Sequence, residues 1–224
     1  MTILSLVVQS SLYKQSRIEG LIEHELPAQL AHLGAEVALE LAPSLYLSRS
    51  LANNTFIERW IEKGMPETEL ASISNEMSLA FQQLNLASVF FVANDGNQMV
   101  YHHFAANLNT AEIIENHTEH TWYFDYLYSL KPYELNLDHN EFTSQQLQMF
   151  VNYSGNKFNR LGEPLIVAGV GLDMTQLAKL ISNYRLGNQG RASLASEEGV
   201  VEVSSASSII TNLTATPETV FIKK

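Results

Sequence analysis

The 224-residue sequence contains no cysteine, which excludes a disulfide framework, a thiolate nucleophile, a Cys-ligated zinc and an iron–sulfur cluster. Basic residues are scarce as well. Thirteen Lys and Arg stand against 24 Asp and Glu, for a formal charge of −11, and so acidic a chain repels the phosphate backbone that a nucleic-acid binder must neutralise. No nucleic-acid partner is expected. Charged residues of both signs make up only 17% of the chain, below the usual ~25%. The hydrophobic share of 46% is ordinary, so the chain can bury a core and does not read as a disordered tail. Its N-terminal apolar run of Ile3, Leu4, Leu6, Val7 and Val8 falls far short of the ~20 residues that cross a bilayer. It also lacks the basic start and small-residue cleavage site of a signal peptide. Two expectations follow: a cytosolic protein, or an extracytoplasmic domain separated from its targeting segment.

What is present begins with a helical pattern from Leu4 to about Gly64. Leu26, Leu30, Leu33, Val37 and Leu41 recur at steps of three and four residues and so share one helix face. Pro27 and Pro43 each remove a backbone N–H and crowd the preceding turn, so kinks or restarts are expected there. The stripe admits two compatible readings, a helix lying along a sheet and a stalk that pairs weakly with a second copy. A second helix follows Gly64, Met65 and Pro66, with Leu70, Ile73, Met77, Phe81 and Leu84 on one face. The period then changes to that of strands. Ser88 to Ala93 and Met99 to Phe104 flank the turn Asn94-Asp95-Gly96 as a hairpin.

Residues 105–116 read as loop, and His117 to Tyr128 as an aromatic helix. Tyr133 to Leu137 and Leu147 to Tyr153 read as strands, and Pro164 to Leu172 as a continuous apolar strand. Asp173 caps a helix over Met174 to Tyr184. A hairpin of Arg191 to Ala195 with Val200 to Ser204 follows, then a Ser/Thr-rich end with a weak strand at Val220 to Ile222. This order predicts two small α/β modules behind one long helix.

The familiar catalytic signatures are incomplete or absent. Gly169 and Gly171 lie where a strand runs into a helix, but the third glycine of a dinucleotide loop falls on Met174, whose side chain blocks the close helix–strand approach. Five histidines, His102, His103, His117, His120 and His139, lie within 40 residues. His102 and His103 must point to opposite faces of a strand, whereas His117 and His120, three apart, could share a helical face with Glu115 or Glu119 nearby. A soluble metal-dependent hydrolase built on this cluster is the rival reading, although no H-E-x-x-H occurs, and no G-x-S-x-G elbow supports a serine nucleophile.

The aromatic cluster Tyr101, Trp122, Tyr123, Tyr126, Tyr128 and Tyr133 combines apolar faces with polar tips. That composition lines small-molecule pockets and can hold an organic cation. It also builds ordinary cores, and composition alone leaves both open.

The segments Leu41-Ala42-Pro43 through Ser48, Leu51-Ala52-Asn53-Asn54-Thr55-Phe56-Ile57 with Trp60, and Val89-Phe90-Phe91-Val92-Ala93-Asn94-Asp95-Gly96 resemble the start of a double Cache, or tandem PAS-like, extracytoplasmic sensor domain. Trp122-Tyr123, the run Tyr133 to Asp138, the strand Met149 to Tyr153 and Gly162-Glu163-Pro164-Leu165 through Asp173, with Leu177 and Tyr184-Arg185, continue the resemblance in order over roughly residues 20–205. Such domains belong to bacterial histidine kinases, diguanylate cyclases and chemoreceptors. The resemblance implies an α/β (α+β) fold in which a long N-terminal helix precedes two PAS-like (Cache) modules with antiparallel sheets: residues 1–60 a helical stalk, 61–165 a membrane-distal ligand-binding module, and 166–224 an incomplete membrane-proximal module.

It further implies a periplasmic, non-enzymatic sensor of a membrane-anchored transducer, most simply a histidine kinase, with no cofactor. Its ligand site would comprise Trp122, Tyr123, Tyr126, Tyr133 and Tyr101, with His120, Glu134 and Asp138 as polar partners. His120 stands where the amino-acid-binding pattern of these domains has an arginine, and the acid expected shortly after the tyrosine is displaced, with Glu134 adjacent and Asp138 farther on. The expected ligand is therefore a small molecule with a neutral or cationic head, such as an amine. Weak dimerisation through Leu26, Leu30, Leu33 and Val37 is expected, and a purely structural dimerisation module is the third alternative.

Overall fold

The computed structural model describes residues 12–83, 86–105, 108–114, 120–139 and 147–183, and short strands at 185–186, 190–195, 200–204 and 213–214. Helix α1 covers residues 12–20 and passes through a π-helical turn at Leu21–Glu25 into α2, Leu26–Ala52. The disturbance expected at Pro27 is this π turn, in which the Leu26 N–H reaches back to the Leu21 carbonyl. Pro43 behaves differently. It sits inside an unbroken α2. The residue one turn back, Leu39, is 74% exposed, so the carbonyl that the ring displaces can turn toward water. The break falls instead at Asn53-Asn54, where the Asn54 side chain accepts from the Phe56 and Ile57 N–H groups and opens α3, Thr55–Glu62.

The chain divides into two units, residues 41–176 and residues 1–40 with 177–224. In the first, a six-stranded antiparallel sheet runs in the order β3-β2-β1-β6-β5-β4. Its strands are β1 (Ser88–Asn94), β2 (Met99–Ala105), β3 (Leu108–Ile113), β4 (Tyr133–His139), β5 (Leu147–Ser154) and β6 (Ile166–Asp173). The expected hairpin is β1–β2, closed by Asp95, whose carboxylate accepts from the Asn97 and Gln98 N–H groups, and by Gly96 at φ +82°. β3 corrects the reading of 105–116 as loop. Its sequence LNTAEI is polar and alternates weakly, but as an edge strand it needs only the ladder from β2.

The boundary between residues 165 and 166 falls just before β6, and β6 lies between β1 and β5 in this sheet. Sequence order places β6 late; pairing places it in the middle.

Alternation along the strands gives the sheet two buried faces. On one, Val89, Phe91, Ala93, Phe104, Val151, Ile166, Ala168 and Val170 pack with Leu51 and Ala52 of α2, Ile57, Trp60 and Ile61 of α3, and Ile73, Met77 and Ala80 of α4 (Leu70–Gln83). The Ser48 hydroxyl lies 2.9 Å from both the Ser44 and Val151 carbonyl oxygens, fixing α2 to β5. On the other face, Phe90, Val92, Tyr101 and Val167 pack with Ile114 and with Tyr123 and Tyr126 of α5, Thr121–Ser129.

The second unit contains the first part of α2 and most of α6, Met174–Asn183, which Asp173 caps by accepting from Thr175 N–H and Oγ1. It also holds the pair β7–β8 (Arg185–Leu186, Gly190–Arg191) and the small sheet β11-β10-β9 (Leu213–Thr214, Val200–Ser204, Ser193–Ala195). The hairpin expected near Glu198-Gly199 is the β9–β10 pair. The strand expected at Val220 to Ile222 lies outside the described residues. In the stripe Leu26, Leu30, Leu33 and Val37, Leu33 is buried by the chain itself and the other three are half-buried.

Candidate functional site

The sheet face under α5 assembles an aromatic cluster from strands distant in sequence. Phe90 of β1 makes edge-to-face contacts with Tyr101, Trp122 and Phe150, at centroid separations of 6.0, 5.5 and 5.9 Å, and Trp122 meets Tyr101 at 5.6 Å. These are the attractive geometries for aromatic quadrupoles. Phe90 can reach this position because its ring lies over Gly169, where a Cβ would collide with it. That is the packing role of Gly169. Trp122 is half-buried and so brings the cluster to solvent, whereas Tyr123 and Tyr126 are buried beneath it.

The two buried tyrosines act structurally. The Tyr126 hydroxyl donates to the Pro132 carbonyl at 3.0 Å, and burial raises its pKa. The Tyr123 hydroxyl stands beside Asn94 and Glu163, outside good hydrogen-bond geometry, and burial pushes its pKa up to about 12. It is a neutral phenol at any physiological pH.

Of the remaining expected residues, Tyr101 and His120 join the cluster, with their rings 5.6 Å apart, and His120 is buried at the start of α5, 4.0 Å from the Glu112 carboxylate of β3. Glu134 also faces it, paired across β4–β5 with Asn152. Tyr133 does not. It pairs with Tyr153, which packs on the opposite face, and is 43% exposed. The Asp138 backbone pairs with Gln148 in β4; its side chain lies outside the described residues. The residues of this face that sequence reading did not place in the ligand site are Phe90, Phe150, His103, Thr110, Glu112 and Asn152. For those in β1, β2 and β5 the signal is the period of two, which becomes informative only once the face under α5 is known; Thr110 and Glu112 lie in β3 and are placed by its pairing with β2.

The histidines separate as adjacent strand positions must. His102 pairs with Phe91 and stacks on it at 4.5 Å, with Trp60 at 5.5 Å, on the helix-covered face, while His103 pairs with Phe90 on the aromatic face. Burial lowers the pKa of each to about 4, so both are neutral at pH 7. His117 lies outside the described residues, as does the His139 side chain. Among the described residues no group of three or more His, Asp or Glu converges as a metal site would require. The cluster invoked for a hydrolase falls partly outside the described residues.

The charge of the site is one-sided. Strands β1 to β6 and α5 contain no lysine or arginine, yet they carry Glu112, Asp125, Glu134, Asp138 and Asp173. Two buried acceptors on the aromatic face, Thr110 Oγ1 and Asn152 Oδ1, have no hydrogen-bond partner among the described residues.

No protein-family model matches the chain. Its fold is similar to that of solved bacterial sensor domains. The sensory domain of the Campylobacter jejuni chemoreceptor Tlp3 with isoleucine bound superposes with a TM-score of 0.57 at 11% identity, over 88% of this chain and 73% of that one. Methyl-accepting chemotaxis protein X gives 0.57 at 15% identity, over 83% and 74%. The extracellular domain of the putative histidine kinase vpHK1S-Z8 gives 0.53 at 16% identity, over 79% and 68%. At these identities the likeness is one of fold: a long N-terminal helix followed by an antiparallel sheet with helices, as in PAS-like sensor domains. No helix among the described residues is long and apolar enough to cross a membrane.

Proposed function

We propose that this chain is the extracytoplasmic small-molecule sensor domain of a membrane-anchored bacterial signal transducer of the double Cache type, with a histidine kinase as the simplest output. The observation that supports this most is the aromatic cluster Phe90, Tyr101, Trp122 and Phe150, set on the sheet face opposite the N-terminal helices, in a fold shared with chemoreceptor and kinase sensor domains. A small ligand gains most from desolvated aromatic contact, and a few placed polar groups then select its head group. In this reading the six-stranded unit is the membrane-distal, ligand-binding module in the periplasm. Trp122 and Tyr101 are its contact walls, Tyr123 and Tyr126 its support, and His120, Glu134 and Asp138 its polar rim.

Transmission would use α2, which packs on the sheet through Leu51 and Ala52 and continues without a break to Leu26. Occupancy shifts a signalling equilibrium only as far as the ligand binds one helix arrangement better than the other. Weak pairing of two copies along the N-terminal helix, strengthened by membrane tethering, completes the proposal.

The test is isothermal titration of the purified domain with L-isoleucine, 2-methylbutylamine and 3-methylvalerate, which share one hydrocarbon skeleton and differ in head group. Binding of the amine that vanishes in Trp122→Ala, with the circular dichroism spectrum retained, supports the site. Amine binding that survives Trp122→Ala, or the absence of binding by all three probes, refutes it. Loss of the folded spectrum in Trp122→Ala would return the cluster to a purely structural role, since truncating a core tryptophan costs about 3–5 kcal/mol.

A further inference from the structure

The six-stranded sheet has two edge strands, the polar β3 and the amphipathic β4. An edge strand offers a row of unpaired backbone N–H and C=O groups on which another extended chain can build, and natural sheets guard such edges with lysine, proline, bulges or short length. β4 has none of these guards. Its seven residues, YELNLDH, include no lysine or proline, and they pair with β5 in unbroken register from Tyr133 to His139. Among the described residues no strand takes its outer edge.

The side chains beside that edge are apolar and partly open. Tyr133 and Leu135 are 43% and 45% exposed, on the face where their cross-strand partners Tyr153 and Val151 pack with the helices. Val151 is fully buried, so the cover of α2, α3 and α4 reaches β5 and thins at β4. A row of backbone groups with apolar side chains at every second position matches an extended peptide, and neither a helix nor a lipid surface.

Charge narrows the choice of peptide. The strand carries Glu134 and Asp138 and no lysine or arginine, within a chain of formal charge −11. A second copy of β4 would set acid against acid, and like charges across a ladder destabilise it. A basic strand is attracted instead.

We propose that the outer edge of β4 accepts an extended basic segment of another protein as a further strand, its apolar residues at alternate positions meeting Tyr133 and Leu135. Strand addition there uses backbone groups at the rim of the sheet and requires nothing of the sensor reading.

The probe is an acetylated, amidated heptapeptide of alternating lysine and valine, followed by isothermal titration and by hydrogen–deuterium exchange of the domain. With its valines on Tyr133 and Leu135 the peptide turns one edge toward β4, and along that edge either the lysine amides or the valine amides point, never both. Two N-methylated forms, one modified on every lysine amide and one on every valine amide, are therefore compared with the parent. The expected result is binding by the parent and by one methylated form, none by the other or by a glutamate–valine analogue, and slowed exchange confined to residues 133–139. Leu135→Lys, which places a guarding lysine at the edge, is expected to weaken the parent peptide at least about fivefold.

Equal binding by both methylated forms would mean attraction to net charge alone and overturns the assignment. No binding by the parent, slowed exchange only outside β4, or unchanged affinity in folded Leu135→Lys does the same. Wild type that dimerises in sedimentation while Leu135→Lys stays monomeric gives the edge to a second copy, and overturns it as well. The methylation comparison needs only wild type, so it decides the matter even where Leu135→Lys fails to fold.

Discussion

Acid should unfold this protein earlier than its surface charges alone would, and His102 supplies a separable part of the effect. The side chain is 3% exposed, stacks on Phe91 and meets Trp60 edge-on, and its Nε2 has no partner among the described residues. Burial lowers its pKa from 6.5 to about 4. The unfolded chain therefore takes up a proton below pH 6.5 that the folded chain refuses until about pH 4. Stability is fully present above the unfolded pKa and is lost as pH falls through this window.

At pH 5 the linkage integral amounts to about 2 kcal/mol for His102, and His103, with the same lowered value, adds a similar amount. His102→Phe preserves the stack while removing the titration. Urea denaturation of wild type and variant at pH 7 and pH 5 is the assay. Wild type should lose about 2 kcal/mol more than the variant over this interval. Equal losses in the two proteins would refute the buried, neutral His102 and the packing around it.

Two further outcomes concern the scaffold. Leu130 closes α5 in the left-handed region at φ +53° with 89% of its surface exposed, so Leu130→Gly relieves strain without losing packing and should stabilise the protein by about 1 kcal/mol in denaturant melts. Gly155 follows β5 where a Cβ would collide with the Ala52 carbonyl oxygen, so Gly155→Ala should cost about 2–3 kcal/mol; a neutral substitution would mean that α2 does not end against this turn.

The helices and most strands were legible because their apolar spacing is local. Ile73 and Met77 are buried in α4 as a 3.6-residue period requires, and the continuous run before Asp173 is a strand buried on both faces. β3 was illegible because LNTAEI is polar and alternates only weakly, and the ladder from β2 makes it a strand. The position of Tyr133 was misread for a related cause: in β4 it and Glu134 necessarily face opposite ways, and proximity in sequence to Trp122 says nothing of which one meets the cluster.

Sequence alone determined the absence of thiol chemistry, the acidic charge, the long N-terminal helix and the presence of an aromatic-rich segment, all of which are sums or short-range periodicities. Tertiary structure decided the rest. The β1–β6 and β5–β6 pairings carry Gly169 under Phe90 and Asn152 beside it, joining segments about 80 and 20 residues apart. Which aromatic residues share a face depends on the register of those ladders. A slip of one residue would turn every side chain to the other face, so the site exists only once the sheet is paired.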